Sequence, residues 1–225
     1  MTPKLRRLLR LAAAAAVALP VSVHAGQQET RARAHRTLDG PLTGPSSKPA
    51  AVIAREFIEG NPSLLGLTRD DVATLTLARN HASRSDSLRH LYFTQSVDGI
   101  EVFDATVGVH VDAVGRIQWI TSSARRITNR DIIPAINDDV AVRVAVGEIE
   151  PDAPFKARRL TQGRGRERRA RWTRGQSKRD IEARLVYVPT GDRLELGWQV
   201  STLDADGQAH EVVVSANAGT LVAHR

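Results

Sequence analysis

The chain has 225 residues, of which 41% are hydrophobic, 25% are charged and 4% are aromatic, and its formal net charge is +7. This length has room for two small lobes, and the composition is that of an ordinary globular protein, not of a disordered or collagen-like chain. Because the chain contains no cysteine, disulfide bonds and thiolate chemistry are excluded.

Residues 1–25 have the pattern of a signal peptide. A segment with four basic residues leads into an apolar run over 11–21, which is too short to cross a membrane as a mature helix. Val23 and Ala25 flank His24 as in a signal peptidase site. We therefore expect cleavage after Ala25, a secreted or periplasmic protein without a membrane span, and a mature charge of +3 once those four basic residues are removed from the +7 total.

The next segments predict a leader and a first helix. Residues 26–48 are polar and interrupted by glycine and proline, which predicts a flexible leader. From Val52 to Ile58 apolar residues recur at helical spacing, which predicts a helix over 49–60. Thr68, followed three residues later by Asp71, predicts a capped turn.

Alternating apolar residues then predict strands. Residues 75–77 and 91–97 alternate between apolar and polar, and Asp98-Gly99 is a strong signal for a two-residue hairpin turn with both residues at positive φ. Residues 100–111 supply the return strand, and 117–120 supply the next one. The first half is therefore predicted as a helix followed by an antiparallel meander.

The second half repeats this order. Residues 136–147 fit a helix that Asn137 or Asp138 could cap, although the alternating valines from Val140 to Val146 also fit a strand. We favour the helix because it parallels the first half. Strands follow over 183–188, 194–202 and 210–215. The predicted fold class is α+β, with two lobes that each pack a helix on an antiparallel sheet.

Sequence signatures of catalysis are lacking. None of the seven histidines forms a pair four residues apart with a glutamate between them, and no Gly-x-Ser-x-Gly elbow occurs. Asp204 to Gly207 opens like a calcium loop, but Ser215 stands where a bidentate glutamate is needed. We therefore predict a chain that is not an enzyme, with no catalytic, cofactor-binding or metal-ligating residue and no cofactor. Acidic residues that converge in space without a signature are the remaining alternative.

A basic segment lies between residues 156 and 179, where eleven lysines and arginines accompany one glutamate. Such a run repels itself and lacks apolar periodicity, so we expect an exposed extended loop at about 156–180. It fits a solvated insertion, or a site for an acidic partner or an anionic polymer. Nucleic acid is the least favoured partner, because Trp172 is the single aromatic residue available to stack on a base.

Two stretches carry a family resemblance. The segment HLYFTQSVDGIEVF at 90–103, continued by 109–117, resembles the fungalysin/thermolysin propeptide (FTP) module. Residues 183–191, together with Leu196, 198–200 and 212–221, resemble the PepSY region that follows that module. The resemblance implies an FTP-like lobe at 49–128 and a PepSY-like lobe at 129–225.

The function follows from this resemblance. In fungalysin-family extracellular zinc metalloproteases, two such cystatin-like lobes form the pro-region, which assists folding of the catalytic domain and inhibits it until cleaved. The expected function is that of a non-catalytic module that acts on a zinc metalloprotease catalytic domain, in trans or as a truncated pro-region. The alternative is a stand-alone secreted binding protein that uses its arginine-rich loop on anionic envelope polymers or nucleic acid.

Overall fold

The computed structural model describes residues 33–35, 40–131, 133–175, 177–191 and 193–225, so the predicted signal peptide lies outside the described residues. The described residues form an α+β fold, as the sequence predicts, in which one large mixed sheet of twelve strands is accompanied by three α-helices. The helices are α1 (Ala50–Gly60), α2 (Arg69–Ala73) and α3 (Asp138–Ile149), with a 3-10 turn at Pro62–Leu65. The strands are β1 (Arg33–His35), β2 (Leu75–Ala82), β3 (Arg89–Val97), β4 (Ile100–Val111), β5 (Ile117–Ser122), β6 (Asn129–Arg130), β7 (Arg159–Arg164), β8 (Arg169–Trp172), β9 (Ile181–Thr190), β10 (Arg193–Leu203), β11 (Ala209–Ser215) and β12 (Leu221–His224). No helix among these residues is long and apolar enough to span a membrane.

Side-chain caps fix the starts of two helices. At α2 the Thr68 hydroxyl accepts a hydrogen bond from the Asp71 N–H at 3.1 Å, and the Asp71 carboxylate accepts one from the Thr68 N–H at 2.8 Å, so the predicted capped turn is confirmed. At α3 the Asn137 side chain accepts a hydrogen bond from the Val140 N–H. The sequence alternative between helix and strand is thereby decided in favour of the helix.

The burial pattern of α3 explains that outcome. A strand would bury every second residue and so all four alternating valines. Instead, adjacent pairs one turn apart are buried, which are Ala141 with Val142 and Ala145 with Val146, while Val140 is 40% exposed. Only a helical period places these four residues on one face.

The sheet is antiparallel along most of its length. One end of it runs β2-β3-β4-β5-β1, and the other runs β7-β8-β9-β10-β11-β12. The two ends meet where β4 pairs in parallel with β9 at Val102 and Tyr187, and β6 adds a second short parallel pairing beside β10. β3 and β4 are joined by the predicted turn, because Asp98 and Gly99 have φ values of 51° and 77°.

Two hydrophobic clusters lie on the sheet. The first core packs α1 on β2 to β5, and its members with the largest buried side chains are Ile58, Leu75, Leu91, Phe93, Ile117 and Ile120. The second core packs α3 on β8 to β11 around Trp172, Tyr187 and Trp198. It also takes Val97, Ile100, Val102 and Ala105 from the β3–β4 hairpin. That hairpin therefore contributes to both cores.

The predicted leader differs from the structure over its described part. Residues 33–35 pair with β5, and the Leu42 N–H donates to the Ile117 carbonyl at 2.7 Å. Leu42 also packs against the first core. Gly115, at φ +81°, approaches Ser46 so closely that a Cβ atom on it would lie 2.0 Å from the Ser46 carbonyl oxygen. The reason for the difference is that the turn before β5 offers backbone partners that a local pattern does not reveal.

The predicted extended loop at 156–180 needs correction. Residues in this segment form the β7–β8 hairpin, and β8 pairs with β9. Because Ala170 and Trp172 face the second core, the local charge repulsion is outweighed by their burial and by the backbone hydrogen bonds. We call residues 156–179 the basic hairpin.

Candidate binding surfaces

The junction between the two cores is held by a partly buried ion network. Arg184 on β9 is 19% exposed and lies 2.8 Å from Glu101 of β4, 3.2 Å from Glu167 of the basic hairpin and 2.7 Å from the Gln199 side-chain oxygen of β10. Burial lowers the pKa of Arg184, but its hydrogen bond to Glu101 and the two carboxylate charges outweigh burial and raise that pKa. The network therefore joins β9, β4, β10 and the basic hairpin through one permanent cation.

A second set of contacts holds the chain that connects the two cores. Arg130 donates to Asp98 at the tip of the β3–β4 hairpin at 2.8 Å. The Tyr187 hydroxyl donates to the Asp131 carbonyl at 3.0 Å, and the Asp131 carboxylate accepts from Asn217 at 2.7 Å. Burial raises the pKa of Tyr187, so its hydroxyl remains a donor at neutral pH.

Residues from both ends of the sheet line a cleft of about 400 Å³. Leu65, Arg125 and Arg126 line one side, and Pro189 and Leu194 line the other. Two buried polar atoms on residues of this lining, the Ser122 hydroxyl oxygen and Arg125 Nε, have no hydrogen-bond partner among the described residues. The cleft combines apolar and cationic side chains, as a protein contact surface does.

A row of imidazoles crosses the face of the sheet opposite α1. His81, His90 and His110 lie directly across from one another on β2, β3 and β4, and Trp119 on β5 ends the row. The Nδ1 atoms of His90 and His110 are 2.6 Å apart, and the His110 ring stacks on Trp119 with a centroid distance of 4.4 Å. His110 is 6% exposed. Its pKa is lowered to about 4, first because burial disfavours the imidazolium and second because of the His90 charge.

A second imidazole pair lies at the other end of the sheet. His210 Nδ1 is 2.9 Å from His224 Nε2, and His210 Nε2 is 3.0 Å from Asp204 Oδ2. The hydrogen bond with His210 lowers the pKa of Asp204. Asp204 also accepts from two backbone N–H groups of its own turn, as an ordinary Asx turn does. No group of three or more His, Cys, Asp or Glu residues in the described part of the chain could hold a metal ion.

The basic hairpin is anchored through one buried carboxylate. Asp138, the first residue of α3, receives two hydrogen bonds from Arg159 at 2.8 and 3.0 Å. The Trp172 indole N–H donates to the same carboxylate at 3.2 Å, and the Arg159 guanidinium lies over the Trp172 ring. Trp172 is 3% exposed, so it is unavailable for the base stacking considered from the sequence.

Sequence reasoning tests the histidines only for their spacing along the chain and misses the imidazole row. The signal that could reveal the row is the strand register, because cross-strand neighbours are defined by pairing and not by spacing along the chain. The basic segment was found from the sequence, whereas its anchoring by Asp138 was not.

Comparison with known families matches residues 73–124 to the Fungalysin/Thermolysin Propeptide Motif. These residues comprise β2 to β5 and the turn that carries Asp98 and Gly99. The comparison finds a propeptide motif and no catalytic domain, which indicates a protease pro-region-like module. No curated protein matches the chain.

Proposed function

We propose that this protein is a non-catalytic propeptide-type module that binds the catalytic domain of a fungalysin/thermolysin-like zinc metalloprotease. Binding inhibits the protease, assists its folding, or does both, in trans or within a longer precursor. The proposal includes export to the periplasm or the exterior after removal of residues 1–25.

One observation carries this proposal, the propeptide motif at 73–124. It is supported by the position of the matched strands, which supply most of the first core and four residues of the second. We interpret the helix-on-sheet unit around each core as a cystatin-like lobe, and the second unit as PepSY-like. A motif that is built into both cores fits a module that acts as one body on its partner.

We assign the protease contact to the open edge of β2 and to the cleft between the two ends of the sheet. Among the described strands β2 pairs only with β3, so the backbone groups on its other side are available for strand addition. Leu77 on β2 is an exposed apolar side chain at this edge. Backbone pairing would supply affinity there, and Leu77 would supply apolar contact.

Inhibition and refolding assays test the proposal. The mature chain, added to a fungalysin-type catalytic domain, should slow peptide cleavage in proportion to its occupancy and raise the yield of active enzyme on refolding. Leu77→Glu should weaken both effects. Leu160→Glu is the same substitution at an exposed leucine on the edge strand β7, and it should leave both effects unchanged. Unchanged cleavage and unchanged refolding with the wild-type chain would overturn the proposal.

A further inference from the structure

The eleven basic side chains of the basic hairpin fall into two groups. Three of them are paired with carboxylates, since Arg159 contacts Asp138, Arg169 contacts Glu167, and Arg171 contacts Asp180. The remaining eight are exposed and form no ion pair with a described carboxylate. These eight are Lys156, Arg158, Arg164, Arg166, Arg168, Arg174, Lys178 and Arg179.

Six of the unpaired cations are concentrated at the two ends of the hairpin. Arg164, Arg166 and Arg168 lie at the turn between β7 and β8, and we call them the tip triplet. Lys156, Arg158 and Arg174 lie at the opposite end, where the Thr173 N–H donates to the Arg158 carbonyl, and we call them the base triplet. Because β7 has six residues, the two triplets are separated by about 20 Å at ~3.3 Å per residue.

The hairpin holds these charges in a fixed arrangement. β8 pairs with β9 over Ala170 to Trp172, and the Asp138 carboxylate on α3 accepts hydrogen bonds from Arg159 and Trp172. Gly163 approaches the Arg168 carbonyl so closely that a Cβ atom would lie 1.9 Å from its oxygen, so the turn admits no larger residue there. Six cations at defined positions lose less conformational freedom on binding than the same cations in a flexible loop.

The side chains of the hairpin also specify the kind of anion. Its single aromatic ring, Trp172, is buried in the second core and cannot stack on a base. The exposed charged groups are mostly lysine ammonium and arginine guanidinium, which bind phosphate and sulfate groups by charge and by N–H donation. The chemistry fits a polymer recognised through its anionic groups.

We propose that the basic hairpin binds a linear polyanion carrying phosphate or sulfate groups, which contacts the tip triplet and the base triplet at the same time. This site is separate from the protease contact and does not depend on it. The ligand has to span about 20 Å to reach both triplets, given the ~3.3 Å rise per strand residue.

Binding of the mature chain to heparin oligosaccharides and to polyphosphate of graded length tests the proposal. Affinity should rise sharply once the ligand spans both triplets, and should fall steeply with salt. Replacing either triplet with glutamine should lower the affinity about tenfold or more, and should reduce the slope of log K against log salt by about 2, since each contact contributes ~0.7–0.9. The relative affinities of the two ligands then show whether phosphate or sulfate groups are preferred.

The β2–β3 hairpin offers a matched control. Arg79, Arg84 and Arg89 are three exposed arginines there, and replacing them with glutamine removes the same charge from the other end of the sheet. This control should change affinity by less than about twofold if contacts, and not net charge, decide binding.

Four results would overturn the proposal. The first is an equal loss of affinity in the control variant and in the two triplet variants, and the second is an affinity that does not depend on ligand length. The third is no binding at 50 mM salt. The fourth is tighter binding of oligothymidylate than of polyphosphate of equal charge. The last result would mean that bases are recognised. Unchanged circular dichroism in each variant verifies that these surface substitutions leave the fold intact.

Discussion

The two cores differ in where their residues come from. The first core draws its side chains from residues 42–124, which are neighbours along the chain. The second core combines residues from 127–216 with the end of the β3–β4 hairpin, where Val97, Ile100, Val102 and Ala105 lie. The first core can therefore close without the second, whereas the second depends on strands that also build the first.

Because of this asymmetry, the boundaries of the sequence motif do not coincide with the boundaries of a hydrophobic core. The propeptide motif spans 73–124, yet part of it is core of the other half. Removing the second half would expose Ile100 and Val102, and removing the first would leave the second core with a gap.

The largest effects are expected from truncating the biggest buried side chain of each core. Phe93→Ala and Trp198→Ala should each cost about 3–5 kcal/mol in the free energy of unfolding. Phe93→Ala should loosen both cores together, because the hairpin that carries it serves both. Trp198→Ala should unfold the second core at a lower denaturant concentration than the first core. In a denaturant titration, Trp172 fluorescence follows the second core and Trp119 fluorescence follows the end of the sheet with the first core. Loss of the Trp119 signal at the same denaturant concentration in both variants would contradict the asymmetry.

A pair of valines on β4 sharpens the comparison. Val102 belongs to the second core and Val109 to the first, and both are fully buried. Replacing either with alanine should cost about 1–3 kcal/mol, from the lost methyl groups and the cavity they leave. Val102→Ala should shift the unfolding of Trp172 and Trp198, and Val109→Ala should shift that of Trp119. Identical shifts at all three tryptophans would show that the two cores unfold as one.

The ion network at the junction predicts a smaller effect. Arg184→Met should destabilise the protein by about 1–2 kcal/mol, less than for a fully buried pair because Arg184 is partly exposed to solvent. Most of this cost arises from leaving Glu101 and Glu167 without their cation. Arg171→Met removes an exposed pair with Asp180 and should cost less than ~0.5 kcal/mol. Equal denaturation midpoints for the two variants would contradict a stabilising role of the network at the junction.

A pH dependence is expected from His110, at the end of the sheet that carries the first core. His110 has a folded pKa of about 4 against 6.5 for an unperturbed histidine, so between these values the unfolded chain binds a proton that the folded chain does not. Stability should fall as the pH drops from 6.5 towards 4, and this contribution should be flat outside that window. Asp86, in the turn before β3, acts in the opposite direction, because its negative charge raises the pKa of His110, but burial and the His90 charge outweigh it.

His110→Asn tests this assignment, because it removes the titrating ring. The variant should lose the fall in thermal midpoint between pH 6.5 and 4, as followed by Trp119 fluorescence. His81→Asn replaces an exposed histidine of the same row and should keep that fall. A variant at position 110 with the wild-type pH profile would assign the titration to another group.

Much of the fold is predictable because the signals are local. The cap at Thr68, the helical spacing from Val52 to Ile58 and the Asp98-Gly99 turn depend on backbone geometry within a few residues. The α+β class follows from these elements. Caps, tight turns and apolar periodicity act within a few residues, so a local stretch of sequence predicts them.

The sequence also determined the concentration of charge between residues 156 and 179, but not its structure. Local repulsion favours an extended loop there, whereas the structure has a hairpin. The burial of Ala170 and Trp172 and the contact with Asp138 decide the outcome. These partners are distant in sequence, so no local pattern contains them.

The imidazole row shows most directly what only the tertiary structure decided. The turn pairs Val97 with Ile100, and continuing that register would place His90 opposite Val107. Between Thr94 and Ser96 the register shifts, so that Thr94 pairs with Thr106 and His90 pairs with His110. β4 has a bulge at Asp104, where φ is 55°. The bulge lies where the side chains of β4 change from the second core to the first. The sequence predicts the helices, the Asp98-Gly99 turn and the distribution of charge. The register of the strands depends on the tertiary structure, because the β3–β4 hairpin has to bury side chains in both cores.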